Sequence, residues 1–229
     1  MNDMGMIGLF LAAGRSQRMG KNKLELPFRD GTLGGHALKN VLNASLNHTL
    51  VIVRPTDPLH WLDDASLITS LKKWSLVYNY DSDHGQASSI HTGVRQAMAA
   101  NAQAVIIFLA DQPFLQAHWI NELNKTFKRE SPPFIAMRYN GIVHPPILFS
   151  KQTWPDLLTL TGDQGARLLF KNGLLKDGLF FDHQNQKLLF DVDDDRDYQR
   201  ALMFDGQGIG RGVKDMLTLE RRGRIDRKR

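Results

Sequence analysis

The chain contains no cysteine, which removes disulfides, thiolate metal sites and cysteine nucleophiles at once. That fits a reducing compartment, and the expected location is the cytoplasm. Long apolar runs are missing as well. The stretch at residues 4–14 falls short of the about 20 residues a membrane span needs. It is preceded by Asp3 and by no Lys or Arg, so a buried strand is expected there rather than a secretory leader or an anchor. No membrane partner is expected. The eight histidines show no metal-ligand spacing such as His-Glu-x-x-His, and no Ser/His/Asp constellation stands out. Internal repeats and low-complexity blocks are absent too.

Charge of one sign is scarce once it is located. The formal net charge is +5, but residues 205–229 hold eight Lys/Arg against four acids. The tail therefore carries +4 and residues 1–204 only +1. A nearly neutral body predicts no nucleic-acid partner. The basic tail reads as a flexible, solvated extension or as a contact for a partner.

What is present suits one α/β domain over residues 1–204, followed by the tail at 205–229. The 229 residues are 42% apolar, enough for a substantial core. Apolar runs at 7–12, 49–53, 76–79 and 105–110 read as buried strands. Between them Leu38, Val41 and Leu42 recur at helical spacing, as do Ile90, Val94, Ala97 and Met98. After Pro113 a helix over 117–128 places Ile120, Leu123, Asn124 and Phe127 on one face. Residues 157–169 read as an interrupted helix, and 179–181 and 188–192 as strands. Strands alternating with helices imply a three-layer α/β/α fold around a mostly parallel, Rossmann-like sheet. Ligands on such sheets bind beyond the carboxyl ends of the strands. Three polar loops fall there, at 14–23, 81–89 and 111–113, and are expected to line one crevice.

The first loop reads Leu11-Ala-Ala-Gly-Arg-Ser-Gln-Arg-Met-Gly-Lys-Asn-Lys23. Glycine lets backbone N–H groups approach an anion, and four cations neutralise it, so a triphosphate is the natural guest. Five residues separate Gly14 from Gly20, and Asn22 follows Lys21, so the spacing is not that of a P-loop. The Gly-x-Gly-x-x-Gly dinucleotide fingerprint is absent. Asp111 ends the fourth apolar run, where an acid either caps the next helix or holds a hard cation such as Mg²⁺ against substrate phosphates. The run Asp191-Val-Asp-Asp-Asp-Arg-Asp197 supplies further acids; Asp194, Asp195 and Asp197 suit a helix N-terminus.

The motif Leu-Ala-Ala-Gly-x-Ser-x-Arg-Met-Gly-x-x-Lys resembles the signature of the MobA-like nucleotidyltransferases, and the resemblance extends over roughly residues 5–203. It implies a sheet of the nucleotide-diphospho-sugar transferase type. Leu11, Ala12, Ala13, Gly14 and Arg15 would lie against the nucleotide, with Arg18 and Lys23 on its phosphates. Arg18, Lys23 and Asp111 would be catalytic. Guanylyl-transferring members tend to have Gly at the position of Ala13, so its methyl points to CTP. Asp111-Gln-Pro113 resembles the family's metal-binding segment. Its usual Asp-Ile-Asp-Thr-Pro-Glu-Asp implies Asp193 as second Mg²⁺ ligand, although Asp194 and Asp195 stand here where Thr and Pro are usual. Gly85-Gln-Ala-Ser-Ser-Ile-His-Thr-Gly93 is similar to the loop that closes over the base, implying Gln86, Ser88 and Ser89 as base contacts. A helix cap explains the serines equally well.

On the acceptor side, Gly162-Asp-Gln-Gly-Ala-Arg167 and His144-Pro-Pro146 resemble the molybdenum cofactor cytidylyltransferase branch. They imply Asp163, Arg167 and His144 as contacts to a phosphorylated pterin, although Gly141 stands two positions further from His144 than the usual Gly-His-Pro would place it. The product would pass to a molybdoenzyme. Two other readings stand beside this one. A sugar phosphate or another phosphorylated alcohol could be the acceptor, or the protein could be a pterin-binding accessory protein for a molybdoenzyme.

Overall fold

The computed structural model describes residues 5–63, 67, 69–171, 173, 175–206 and 218–221. Its centre is strand β1 (Met6–Leu11), all six residues of which are buried. A strand covered on both faces needs no polar alternation, which is why it reads as one apolar run. A short hairpin, β2 (Pro27–Phe28) and β3 (Gly31–Thr32), leads into helix α1 (Leu33–Leu42), whose N-terminus is capped by Thr32. Then come β4 (His48–Val53), β5 (Trp74–Tyr78), α2 (Gln86–Ala99), β6 (Ala104–Leu109) and α3 (Ala117–Glu130). The second half adds β7 (Phe134–Tyr139), β8 (Ile142–Ser150), α4 (Trp154–Leu157), α5 (Leu168–Lys171), β9 (Leu179–Asp182) and α6 (Asp195–Gly206).

One sheet contains β10 (Thr218–Arg221) and runs β10-β9-β7-β8-β6-β1-β4-β5. Strands β5, β4, β1 and β6 are parallel, β8 is antiparallel to both β6 and β7, and β9 again runs with β7. Strand β10 lies antiparallel to β9 and belongs to the segment read as a basic tail. Most of that tail, including the flexibility expected of it, lies outside the described residues. Among the described residues no helix is long and apolar enough to cross a membrane.

Each face of the sheet carries its own core. Phe10, Val51 and Ile106 pack with Leu38, Val41, Trp119, Ile120 and Leu123 on one side. Leu9, Ile52, Val105 and Ile107 pack with Ile90, Val94 and Trp154 on the other. Met98, grouped above with the buried face of its helix, is instead 47% exposed. A third, smaller cluster joins Met19, Phe28, Phe114, Phe190 and Val192. It welds the loop after β1, the loop after β6 and the acidic segment before α6 into one unit.

Two local expectations are corrected. Residues 188–192 are not a strand: Gln186–Leu189 is a 3-10 turn whose start is capped by Asn185. Leu188 and Leu189 dock in one core, whereas Phe190 and Val192 dock in the third cluster. Apolar residues divided between two cores produce the same run of letters as a strand. Residues 157–169 are likewise mostly loop rather than helix: one short helix ends at Leu157, the next begins at Leu168, and Gly162 between them takes φ +56°.

Candidate active site

The loop after β1 leaves the sheet at Ala12 and turns through Ser16 and Gly20, both at positive φ. Ser16 Oγ accepts from the backbone N–H of Lys23 at 3.2 Å. Lys23 then opens a 3-10 turn capped by Asn22, with Leu24 buried behind it. Anchored on both sides, Lys23 projects inward with a side chain only 13% exposed. Its ammonium donates to Asp111 Oδ2 at 2.5 Å, to the Val192 carbonyl at 2.8 Å and to Asp193 Oδ1 at 3.2 Å. Burial opposes the Lys23 charge, but Asp111 and Asp193 together outweigh it and hold the pKa above its ordinary value.

Asp111 stands two residues beyond the end of β6. The backbone N–H of Val192 donates to the Asp111 carbonyl at 3.0 Å, fixing the acidic segment beside it. Buried Gln112 donates to Asp191 Oδ1 at 2.7 Å. Asp194 Oδ1 accepts from the N–H of Asp197 at 2.9 Å and caps α6. Asp193, not Asp194, is therefore the acid that shares a partner with Asp111. Asp111 Oδ1 is buried and has no hydrogen-bond partner among the described residues. Two carboxylates and a carbonyl around one point form an all-oxygen donor set, the kind hard divalent cations take. Among the described residues no group of three or more His, Asp or Glu is arranged for a metal, so an ion here would complete its shell from water and substrate phosphates.

Burial, and next the neighbouring charge of Asp111, push the Asp191 carboxyl up to about 7. The folded protein thus keeps a proton that the unfolded chain releases near 3.8. The resulting contribution to stability is complete below the unfolded value and is lost as pH rises through about 7. Asp191→Asn retains an oxygen for Gln112 and removes the buried charge. Without added nucleotide or metal, it is expected to raise the melting temperature at pH 8 and to raise it less at pH 5. Equal gains at the two pH values would contradict this account.

A cleft of about 550 Å³ opens over these groups. It is lined by Leu11, Ala12, Ala13, Gly14, Arg15, Arg18 and Lys23 from the first loop, Gln86 and Ser89 from the start of α2, and Asp111, Asp163, Arg167 and Asp193. Two of the expected residues are not among its lining. Ser88 accepts from Asn79 at 2.8 Å and donates to the Gly85 carbonyl at 2.7 Å, a structural clamp at the helix start. His144 lies half-buried on β8, its pKa lowered by burial and then by the charge of Arg167.

Sequence reasoning missed Asp83 and took Asp191 only as one acid of its run, a candidate for the metal beside Asp193 and Asp194; both Asp83 and Asp191 are in the lining. Asp83 forms an ion pair with Arg15 across the mouth of the cleft. An acid in the loop after the third predicted strand was the available signal. Gly85 explains how the acceptor-side loop reaches the cleft. At φ +86° it lets Gly162 approach so closely that a Cβ would lie 2.4 Å from the Gly162 carbonyl carbon and oxygen. The Gly162 carbonyl in turn accepts from the N–H of Ala87 at 3.0 Å.

Residues 8–178 match the family model described as MobA-like NTP transferase domain. The chain is 37% identical over 195 residues to the purine catabolism protein PucB of Bacillus subtilis (strain 168), covering 84% of this chain and 94% of that one. It is 25% identical over 193 residues to the molybdenum cofactor cytidylyltransferase of Escherichia coli (strain K12), covering 84% and 93%. The fold matches a crystal structure of Rv0371c from Mycobacterium tuberculosis H37Rv with a TM-score of 0.71 at 24% identity, covering 88% of this chain and 100% of that one.

Proposed function

The chain belongs to the MobA-like NTP transferase domain family, and from that premise we propose that it transfers CMP from CTP to the phosphate of a molybdopterin-type acceptor, releasing pyrophosphate. Nucleotidyl transfer is the activity of the family. The observation that carries it is the meeting of Lys23, Asp111 and Asp193 at one end of a cleft floored by the glycine-and-cation turn.

A phosphate monoester has its second pKa near about 6 and is largely a dianion at neutral pH, so the acceptor needs no strong base to act as nucleophile. Its oxygen attacks the α-phosphorus. That P–O bond forms as the bond to the β-phosphate bridging oxygen breaks, and the electron pair leaves with pyrophosphate. Arg18 and Lys23 neutralise the triphosphate, and Gln86 and Ser89 offer polar groups to the base. Arg167 and Asp163 face the acceptor. Asp111 and Asp193 would hold Mg²⁺, which when bound supplies charge neutralisation at the reacting phosphates.

Ala13 supports the choice of CTP, because it lines the cleft and a methyl at that position leaves less room than Gly for the larger purine. Ala13→Gly is expected to shift the ratio of kcat/KM for CTP over GTP toward GTP by about tenfold, the order one small apolar group contributes in a pocket. An unchanged ratio would remove Ala13 from nucleotide selection. The relative from E. coli is named a cytidylyltransferase, whereas PucB is named only for purine catabolism. A sugar phosphate or another phosphorylated alcohol remains the second reading, favoured by the position of His144 outside the cleft lining. A screen of CTP, GTP, ATP and UTP against molybdopterin and sugar phosphates, following pyrophosphate release, separates the two. The first reading expects turnover only with the pterin.

A further inference from the structure

We propose that Lys23 is a built-in occupant of the metal position, so that the divalent cation and the triphosphate bind strongly only together. The proposal deepens the functional reading above and rests on Asp111 and Asp193 being the metal carboxylates.

The geometry of the ammonium carries the argument. An ammonium has three N–H donors. Those of Lys23 meet one oxygen each from Asp111, Val192 and Asp193, at 2.5, 2.8 and 3.2 Å. Its hydrogen-bonding capacity is therefore filled by the same donor set that a hard cation would use. A second positive ion entering between Asp111 and Asp193 would meet this charge at contact distance, and like charges so close oppose one another.

The backbone that carries the two carboxylates is held in place. Val192 N–H is bonded to the Asp111 carbonyl, and Val192 itself is buried in the third core cluster. The mobile partner is the flexible stem of Lys23. Farther out the same pairing repeats more loosely, with Arg18 3.8 Å from Asp193 and Lys21 3.9 Å from Asp195. The phosphate-binding turn and the acidic segment thus neutralise each other.

A triphosphate offers Lys23 and Arg18 a more highly charged partner. Once they turn to it, the carboxylates are released for the metal. Because Lys23 opposes one ligand until the other engages it, each raises the affinity of the other by the same factor.

The test uses Mn²⁺ as the probe, with the free aqueous ion followed by electron paramagnetic resonance on the full chain. Wild type, Lys23→Met, Lys23→Gln and Asp111→Asn are titrated with and without α,β-methylene-CTP. Two Lys23 variants are used in case one fails to fold, and melting curves identify which is folded. Without nucleotide, the folded Lys23 variant is expected to bind Mn²⁺ about tenfold or more tighter than wild type, the order expected for removing one adjacent charge. Wild type gains strongly when the analogue is added. If the Lys23 variant binds no tighter than wild type while Asp111→Asn loses binding, Lys23 does not guard the site and this proposal alone falls. If Asp111→Asn binds Mn²⁺ as wild type does in the presence of the analogue, the metal reading falls, and this inference with it.

Discussion

Asp111→Asn is expected to lower kcat by about 10³-fold, with the fold retained. The magnitude follows from the electrostatics: one preorganised charge at a reacting phosphate is worth about 10² to 10³ in rate, and Asp111 both pairs with Lys23 and is one of two proposed metal carboxylates. Stability should change little, for two reasons. Asparagine keeps an oxygen toward Lys23, whose ammonium is also bonded to Val192 and Asp193. The substitution also removes the charge that helps push up Asp191. Pyrophosphate release and thermal denaturation, measured side by side, check both halves. Near-normal turnover would rule out Asp111 as a metal ligand; a collapsed melting temperature would make its role structural.

Gly85→Ala should have the largest effect on the fold among single substitutions at the cleft. At φ +86° and ψ −173° the backbone occupies a region essentially reserved for glycine, and strain there costs about 1–3 kcal/mol. The new methyl would also meet the backbone of Gly162 at 2.4 Å, where no flexible side chain can yield. A combined loss of about 2–4 kcal/mol is expected. Because Gly162 and the start of α2 would part, Gln86 and Ser89 would shift relative to Asp163 and Arg167. Displacement by about 1 Å commonly costs about 10² in rate, so kcat/KM should fall by that order even in the folded fraction. Urea denaturation with kinetics below the transition tests this. Unaltered stability would mean the two loops are not packed as described.

These expectations show which parts of the molecule could be read from the residues. Strands β1, β4 and β6 were legible because a strand buried on both faces leaves an unbroken apolar run ended by polar or glycine residues. Their carboxyl ends predicted the three loops, and the loops meet in one cleft. Where the physics was not local, the sequence was ambiguous. Ser88 and Ser89 are neighbours and both accept from Asn79, at 2.8 and 3.0 Å, so only the tertiary packing shows that Ser89 also borders the cleft and Ser88 does not. Asp191 looked like one acid among several. Its burial beside Asp111 depends on a contact between segments 80 residues apart. His144 belongs to a recognisable motif, yet a half-buried place on β8 keeps it out of the lining. The apolar letters of 188–192 suit a strand or two core contacts equally well until the tertiary packing is known.

The central claim is transfer of a nucleotidyl group at the cleft where Lys23 meets Asp111 and Asp193. The most direct measurement incubates the protein with Mg²⁺, molybdopterin and CTP labelled in parallel at the α- or the γ-phosphate. The account predicts that α-label enters a pterin product and γ-label appears in pyrophosphate, both lost in Asp111→Asn. Gamma label recovered as orthophosphate, or as a phosphorylated acceptor alongside CDP, would contradict it.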